Sequence, residues 1–265
     1  MAWNPQQYLK FAGERQRPGF DLMAQIEDLP PGPIYELGCG AGIHARALAA
    51  RWSGHTLQAI DNSADMLTEA AKAPSPIQWI NADIETWRAP QKAALIFSNA
   101  TLHWLPAHEL LLPRLFGELL PQGVLAVQMP RNFANPSQVL MRETARNGPW
   151  FPRLAPLFDP NVATPSVLRP EPTGTPEFYY DLLSPLAHGG IDLWETEYVH
   201  QLQGEDAVFE WMRGTSLRPV LDALDPSPRE AFIAAYKAAL RAAFPRRADG
   251  KTLLHFRRLF MVARR

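Results

Sequence analysis

The sequence predicts an α/β fold, a doubly wound and mostly parallel sheet of seven strands, from three observations. The chain has 265 residues, which is long enough for one α/β domain with additions. Short apolar runs alternate with helical patterns through its first half, as in a parallel sheet covered by helices. The first four runs lead to a glycine or a polar residue, at Gly38, Asp61, Asp83 and Asn99. Because such sheets bind ligands at the carboxyl ends of their strands, these residues mark the expected site.

The first strand and the glycines behind it are the most informative stretch, IYELGCGAG at residues 34–42. The apolar residues predict a buried strand, and a helical pattern follows directly. The glycines are spaced Gly38-x-Gly40-x-Gly42, whereas a dinucleotide site has its third glycine one position later. Glycines in this place let a ligand lie against the backbone and the next helix. The carboxylate of Glu36 would repel a pyrophosphate and favours a cationic group instead.

The other elements follow from periodicity and from turn residues. A short helix is expected after the Asn4-Pro5 cap, and Ser63 is expected to cap another. Further helical patterns lie at residues 20–28, 43–52, 108–120, 132–146, 205–215 and 228–244. Strands are expected at residues 34–37, 57–60, 77–80, 93–97, 124–129, 197–202 and 255–265.

Two segments lie outside the sheet pattern and are predicted to cover the site within a single domain, residues 1–265. Residues 1–30 begin with an aromatic-rich helical segment, which predicts a helical lid or an arm packed on the core. Residues 131–190 are predicted to form an inserted substrate cap that is helical and rich in proline. Nine prolines between residues 149 and 185 exclude a continuing strand–helix pattern, and aromatic residues give the segment a core to bury.

The composition favours a small-molecule enzyme of the cytoplasm. The net charge is −1, from 26 basic and 27 acidic residues, so nothing in it favours nucleic acid as a partner. Cys39 is the one cysteine, so no intrachain disulfide can form. No apolar run reaches the length of a membrane span, and no secretory leader follows Met1. We expect a monomer or a weak homodimer.

Several stretches together resemble the trans-aconitate 2-methyltransferase family. They are WNPQQYLKFAGERQRP, ELGCGAG, SNATLHWLP, LAVQMPRNFANPSQVLMRETA, TSLRPVLDAL and FRRLFMVARR, and they are spread over nearly the whole chain. The resemblance implies a class I, Rossmann-like methyltransferase fold with an antiparallel last strand. It also implies transfer of a methyl group from S-adenosylmethionine to a carboxylate of trans-aconitate, which gives the monomethyl ester and S-adenosylhomocysteine.

The resemblance places the cofactor at the strand ends. In this family the acidic residue after the second strand, here Asp61, binds the ribose hydroxyls, and Asp83 is expected to accept the adenine amino group. The expected cofactor residues are Glu36, Gly38, Cys39, Gly40, Gly42, Asp61, Asn62, Met66, Asp83, Ile84 and Asn99.

The acid substrate needs cationic partners rather than a catalytic base. A carboxylate is ionised at neutral pH, since its pKa is about 4, so no general base and no metal cluster are expected. Arginine pairs bidentately with carboxylates, and Arg131 is favoured because it follows the fifth strand directly. Arg15 could instead bind the methionyl carboxylate of the cofactor. The expected substrate residues are Tyr8, Arg15, His103, Trp104, Arg131, Asn132, Arg142 and Arg213.

Three other interpretations of the protein's function remain open from the sequence. The chain could be a class I methyltransferase for another small or carrier-bound carboxylic acid, because it departs from the family at residues 41–44 and at His103. It could be a non-catalytic protein that binds S-adenosylmethionine, although the acidic residues and glycines of the site are all present. A nicotinamide oxidoreductase is the third reading, and Ile43 in place of glycine weighs against it.

Overall fold

The computed structural model describes residues 12–159, residue 168 and residues 173–265. Its strands are β1 (Ile34–Leu37), β2 (Leu57–Asp61), β3 (Gln78–Asn81), β4 (Ala93–Asn99), β5 (Leu119–Pro130), β6 (Ile191–Gln203) and β7 (Lys251–Arg264). Its helices are α1 (Ala12–Ala24), α2 (Ile43–Arg51), α3 (Ala64–Ala70), α4 (His108–Gly117), α5 (Pro136–Arg146), α6 (Phe151–Leu154), α7 (Pro176–Leu183), α8 (Ala207–Arg213), α9 (Arg218–Asp222) and α10 (Pro226–Ala243). Leu102–Trp104 and Ala155–Phe158 are 3₁₀ turns.

The strands form one seven-stranded sheet in the order β3-β2-β1-β4-β5-β7-β6. Strands β1 to β5 pair with their neighbours in parallel. β7 runs antiparallel to β5, because backbone bonds join Gln122 to Arg265 at one end and Arg131 to Arg257 at the other. The predicted α/β fold, mostly parallel with an antiparallel last strand, is confirmed.

The order of the strands reverses between β1 and β4. From β1 the chain moves outward to β2 and β3, and from β4 it continues in the opposite direction. Gly38 follows β1 directly, and Asn99 is the last residue of β4. Open α/β sheets bind their ligands in the crevice at such a reversal, so the fold places these two residues where a ligand is expected.

β5 begins earlier than the sequence predicts. The helix expected to reach residue 120 ends at Gly117, and Leu119 already pairs with Ala93 of β4. An irregularity follows, because the next pair along is Leu95 with Val124. This irregular part of β5 contains Pro121, which has no N–H to donate to a strand ladder.

The chain divides into two compact units. Unit 1 comprises Met1–Pro130, Gly174–Thr196 and Leu259–Arg265, and unit 2 comprises Arg131–Thr173 and Glu197–Arg258. Unit 2 begins where the cap was expected to begin, but it also takes in residues between β6 and β7. The roles expected of the lid, residues 1–30, and of the cap, residues 131–190, stay predictions. No helix within the described ranges is long and apolar enough to span a membrane.

Each unit has its own buried core. In unit 1 the central strands contribute residues with no exposed surface, such as Leu37, Ile96 and Val127. In unit 2 the hydroxyl of Tyr236 on α10 donates to the carbonyl of Ser137 on α5 at 2.8 Å. Trp150, one of the aromatic residues of the proline-rich segment, packs edge-on against Phe232 in this core, with 5.4 Å between ring centres.

Candidate functional site

The glycine turn between β1 and α2 has a backbone conformation that glycine adopts most easily. Gly38, Gly40 and Gly42 have φ angles of 79°, 51° and 77°. Residues other than glycine rarely adopt this left-handed region of backbone angles. The N–H groups of Gly38 and Cys39 both donate to the carbonyl of Ile60, at 2.7 and 3.0 Å, which joins the turn to the end of β2.

The three glycines face different surroundings. A Cβ on Gly38 would lie 2.0 Å from Oγ1 of Thr101, and one on Gly42 would lie 2.4 Å from the ring of Trp79. A Cβ on Gly40 would have no heavy atom of the described residues within 4 Å, apart from its chain neighbours. Gly38 and Gly42 are therefore required for packing, whereas Gly40 leaves open space into which a ligand can approach the backbone.

Arg46 braces the far end of the turn, and sequence reasoning missed it. Its Nη1 donates to the carbonyls of Ala41 and Gly42 at 3.1 and 3.0 Å, and its Nη2 donates to the carbonyl of Ala70, the last residue of α3. The guanidinium lies over the ring of Trp79, 5.5 Å from its centre. The signal was its place on the first turns of α2, four residues after Gly42.

Asp61 holds the turn from the end of β2. Its Oδ2 accepts the N–H of Gly40 at 2.8 Å, and its Oδ1 accepts the N–H of Ser63 at 2.9 Å. Burial raises the pKa of this carboxyl, and the two backbone donors oppose the rise. The residue expected to bind the ribose therefore also has a structural task, since it fixes the position of Gly40.

Glu36 is the most deeply buried acid at this edge of the sheet, with 1 % of its surface exposed. Burial, and secondarily the charge of Asp61, raises the pKa of Glu36 well above its usual value. Its Oε2 has no hydrogen-bond partner in the described part of the chain. Such an atom costs about 1–3 kcal/mol, which a ligand with a hydroxyl or ammonium donor would remove. Glu36 and the turn are therefore suited to a ligand that carries such a donor.

The other expected cofactor residues lie at the ends of β1 to β4 or in the segments that follow them, with Met66 on α3. Asp83 is exposed and its Oδ1 accepts the N–H of Glu85 at 2.9 Å, so it also shapes its own turn. Asn99 is half-buried, and its Oδ1 lacks a partner among the described residues. Asn62 is exposed, whereas Cys39, Met66 and Ile84 are buried. Burial raises the pKa of the Cys39 thiol, which suits packing and not nucleophilic attack.

His103 and Trp104 form a 3₁₀ turn soon after β4, with ring centres 4.7 Å apart. His103 is buried and Trp104 is half-buried. His108 fixes this turn, because its Nε2 lies 2.9 Å from the carbonyl of Leu102 and its Nδ1 lies 2.7 Å from the hydroxyl of Tyr179. A carbonyl can only accept, so Nε2 carries the proton and Nδ1 accepts from the tyrosine.

The expected substrate arginines differ in their surroundings. Arg15, on α1 of unit 1, is 5 % exposed. Arg131 is half-buried directly after β5, and its N–H donates to the carbonyl of Arg257 at 2.9 Å. Arg213 is exposed, and its Nη2 lies 2.8 Å from Oε2 of Glu210, as in an ordinary surface ion pair. Tyr8 lies outside the described residues.

Three polar groups in unit 2 leave buried atoms without partners in the described part of the chain. They are Nδ2 of Asn132, Oε1 of Gln138 and Nη1 of Arg142. The other terminal nitrogen of Arg142, Nη2, donates to the carbonyl of Phe133 at 2.8 Å. Phe133 directly follows Asn132 in the sequence. Gln138 and Arg142 are four residues apart on α5, so they share one helix face. Sequence reasoning missed Gln138, which had no distinguishing signal.

No metal is indicated by the described residues, since they contain no group of three or more His, Cys, Asp or Glu that could hold one. The polar groups of the site are instead carboxylates, amides and guanidinium groups. This set can hold a charged organic ligand and orient it, and it offers no activated nucleophile among the residues expected at the site.

Comparison with known proteins agrees with this geometry. A family model described as a methyltransferase domain matches residues 34–123. The trans-aconitate 2-methyltransferase of Azoarcus sp. (strain BH72) is 44 % identical over 261 residues, which are 98 % of this chain and 98 % of that protein. The trans-aconitate 2-methyltransferase of Rhizobium meliloti (strain 1021) is 40 % identical over 100 % of this chain and 99 % of its own length.

Solved structures show the same fold at low sequence identity. The YcgJ protein of Bacillus subtilis superimposes with a TM-score of 0.56 at 13 % identity, over 94 % of this chain and 98 % of that one. An S-adenosylmethionine-dependent methyltransferase from Mesorhizobium loti gives 0.50 at 19 % identity, over 96 % and 100 %. The predicted resemblance is confirmed by the full-length relatives: the chain belongs to the trans-aconitate 2-methyltransferase family of S-adenosylmethionine-dependent methyltransferases.

Proposed function

We propose that this protein methylates a carboxylate of trans-aconitate, giving the monomethyl ester and S-adenosylhomocysteine. The names and full-length similarity of its relatives support the choice of acid. The structural observation that carries the proposal is the glycine turn, which Asp61 holds at Gly40 with a 2.8 Å bond while the space in front of Gly40 is open. The buried Glu36 beside it supplies a carboxyl oxygen for a ligand donor.

The protein's own residues have to bind, orient and shield, and need not take up a proton. S-adenosylmethionine supplies an electrophilic methyl group when it is bound. A substrate carboxylate is already ionised at neutral pH, because its pKa is about 4. Holding it in line with the methyl group and excluding water then supply the rate enhancement. The buried Arg15 and Asn132, and the buried Nη1 of Arg142, suit this task of binding and orienting an anion.

We propose that Arg131, Asn132 and Arg142 bind the carboxylates of the acid from unit 2. The buried Nδ2 of Asn132 and Nη1 of Arg142 support this, since donors without partners in the described chain suit an anionic ligand. Burial, and next the charge of Arg146, lowers the pKa of Arg142, so a bound anion would also favour its charged form. From unit 1 we assign His103 and Trp104 to the substrate, and Arg15 to the substrate or to the methionyl carboxylate. Arg213 and Tyr8 keep the roles expected from the resemblance.

The roles expected of the cofactor residues are also part of the proposal. Asp61 would bind the ribose and Asp83 the adenine amino group, with Asn62, Met66, Ile84 and Asn99 around them. As a cellular setting we propose the cytoplasm, with a small acid as the partner and a monomer or weak homodimer as the working form. Balanced charge, with 26 basic and 27 acidic residues, supports a small ligand over nucleic acid.

Methyl transfer from labelled S-adenosylmethionine to a panel of acids tests the proposal. The panel contains trans-aconitate, cis-aconitate, citrate and a malonyl thioester, and product is scored as base-labile methyl ester. We expect the highest kcat/KM with trans-aconitate. Transfer to a different acid would show that the protein is a carboxyl methyltransferase with another substrate. Tight binding of S-adenosylhomocysteine without transfer to any acid would favour a non-catalytic binding protein.

A pair of arginine variants tests the assignment of the substrate. Arg131→Ala should lower kcat/KM for trans-aconitate. The loss should correspond to about 2–4 kcal/mol of transition-state stabilisation, because a substrate carboxylate loses its cationic partner. Arg153→Ala is the matched comparison from the protein surface, where Arg153 pairs with Asp225 at 3.0 Å. If Arg213→Ala abolishes activity and Arg131→Ala does not, the placement of the substrate after β5 is wrong.

A further inference from the structure

The N-terminal helix α1 is attached to α2 at two separate points. Near the start of α2, Nε2 of His44 lies 3.0 Å from the carbonyl of Gln16. At the end of α2, Nη1 and Nη2 of Arg51 donate to the carbonyls of Met23 and Ile26, at 2.5 and 2.6 Å. Both contacts join a side chain of α2 to backbone oxygens of α1 or its C-terminal turn, yet they lie at opposite ends of the helix pair.

His44 is packed too closely to serve any ligand directly. It is 8 % exposed, and its ring meets Phe20 edge-on at 5.1 Å and Phe97 of β4 at 6.1 Å. A Cβ on Gly19 would lie 2.3 Å from Nε2, so the ring fits only because residue 19 is glycine. A carbonyl can only accept, so Nε2 carries the proton and donates to Gln16. Burial lowers the pKa of His44, and the carbonyl of Gln16 partly opposes this, so the ring stays neutral at neutral pH.

The first turns of α1 depend on this contact more than an ordinary helix would. Pro18 lies inside α1 and has no N–H, so the helical bond to the carbonyl of Glu14 cannot form. Arg15 lies in this weakened part, directly before Gln16, and is 5 % exposed. The carbonyl of Gln16, the residue after Arg15, is therefore one point at which this part of α1 is held.

We propose that His44 is a positioning residue that fixes Arg15 for a ligand carboxylate through the backbone of Gln16. His44 follows Gly42 by two residues, so the same first turn of α2 that borders the cofactor's glycine turn also holds the arginine. The inference rests on the proposed function, because it takes Arg15 to bind a carboxylate. That carboxylate belongs either to the methionyl part of the cofactor or to the acid, and the two sources are separated by measurement.

The test compares His44→Ala with Arg51→Ala, which removes the matched contact at the other end of α2. For each variant we measure amide hydrogen exchange over residues 12–27, the Kd of S-adenosylhomocysteine by calorimetry, and the KM of the acid. His44→Ala should speed exchange at residues 13–17 and raise either Kd or KM about tenfold, a change that corresponds to 1.4 kcal/mol. An increase in Kd assigns Arg15 to the cofactor, and an increase in KM alone assigns it to the acid.

Arg51→Ala should speed exchange at residues 23–27 and lower Tm, while Kd and KM stay within about twofold of wild type. His44→Gln should recover part of the loss, because its amide can donate to the carbonyl of Gln16. Gly19→Ala should reproduce the His44→Ala phenotype by displacing the ring. In an Arg15→Ala background, His44→Ala should have little further effect on Kd or KM, since a residue that acts through Arg15 cannot act without it.

Two results would overturn the inference. Unchanged Kd and KM in a folded His44→Ala protein would reduce His44 to a packing residue, and equal effects of His44→Ala and Arg51→Ala would show general destabilisation. Failure of the proposed function has a different signature. A wild-type protein that methylates no acid removes the KM measurement, and the proposal then stands or falls on exchange and on Kd alone.

Discussion

The glycine turn of unit 1 and the polar face of α5 in unit 2 are organised in opposite ways. The turn is held by its own backbone and by Asp61, whose two carboxylate oxygens both accept N–H groups. On α5, Gln138 and Arg142 each leave a buried polar atom without a partner in the described chain. The first region is already shaped for its ligand, whereas the second has hydrogen-bonding capacity that a ligand would satisfy. We infer that cofactor binding depends on backbone shape and that selection of the acid depends on side chains.

The largest expected effect comes from placing a methyl group behind the turn. Gly42→Ala puts Cβ 2.4 Å from the ring of Trp79, at a φ of 77°. Overpacking and left-handed strain together should lower the free energy of unfolding by about 2–5 kcal/mol. Thermal unfolding measures this, with Gly54→Ala as the control, because Gly54 has no left-handed φ and nothing within 4 Å in the described residues. Equal melting temperatures for the two variants would contradict the packing role.

Gly40→Ala separates ligand approach from folding at the same turn. Its φ of 51° costs only about 1–2 kcal/mol of strain, and no heavy atom of the described residues is in the way. We therefore expect a folded protein that loses most of its affinity for S-adenosylhomocysteine in calorimetry. Unchanged affinity would mean that the cofactor does not approach this glycine.

The next effect tests the side-chain character of the α5 face. Arg142→Ala should reduce the transition-state stabilisation calculated from kcat/KM for the acid by about 2–4 kcal/mol, and it should leave the Kd of S-adenosylhomocysteine unchanged. Arg142→Lys should recover only part of this, because an ammonium group does not reproduce the planar fork. The exposed Arg153, which pairs with Asp225 at the surface, offers the matched control, and Arg153→Ala should change the same quantity by less than about 1 kcal/mol. Parallel losses in both variants would remove the distinction between the two arginines.

A smaller effect is expected where side chain and backbone act together. Asp61→Asn keeps one acceptor oxygen but loses the second, so one of the N–H groups of Gly40 and Ser63 loses its partner. Affinity for S-adenosylhomocysteine should fall by about 1–3 kcal/mol. Asp65→Asn, at an exposed position of α3, is the control and should be neutral in the same calorimetric titration.

The smallest effect concerns the pH dependence of stability at Glu36. Burial raises the pKa of Glu36 in the folded protein, so its contribution to stability is present below the unfolded pKa and is lost as pH rises through the folded value. Without ligand, Glu36→Gln should therefore melt about 2–4 °C above wild type at pH 8. The difference should vanish near pH 4–5, around the ordinary glutamate pKa of about 4.3. If the difference in melting temperature between Glu36→Gln and wild type stays constant from pH 5 to 8, the prediction of a raised pKa for Glu36 is wrong.

The contiguous parts of the molecule were predictable from the sequence. The strand at residues 34–37, the glycine turn and the helix after it were all placed correctly, because their signals are local. Glycine tolerates left-handed backbone angles, and Gly38, Gly40 and Gly42 all adopt them. The later strands were also found, although β5 starts at Leu119 because the ladder with β4 outweighs the helical pattern before it.

Chain order and residue type thus determined the α/β class, the turn and the acids at the strand ends, since these follow from periodicity and backbone conformation. Tertiary structure alone decided which polar side chains are buried and what they contact. His44 reaches Gln16 across 28 residues and Gln138 reaches Ser216 across 78, so no local pattern records either contact. The same reason separates Arg142 from Arg213: both are arginines on helices, but packing buries a nitrogen of the first and leaves the second paired in solvent.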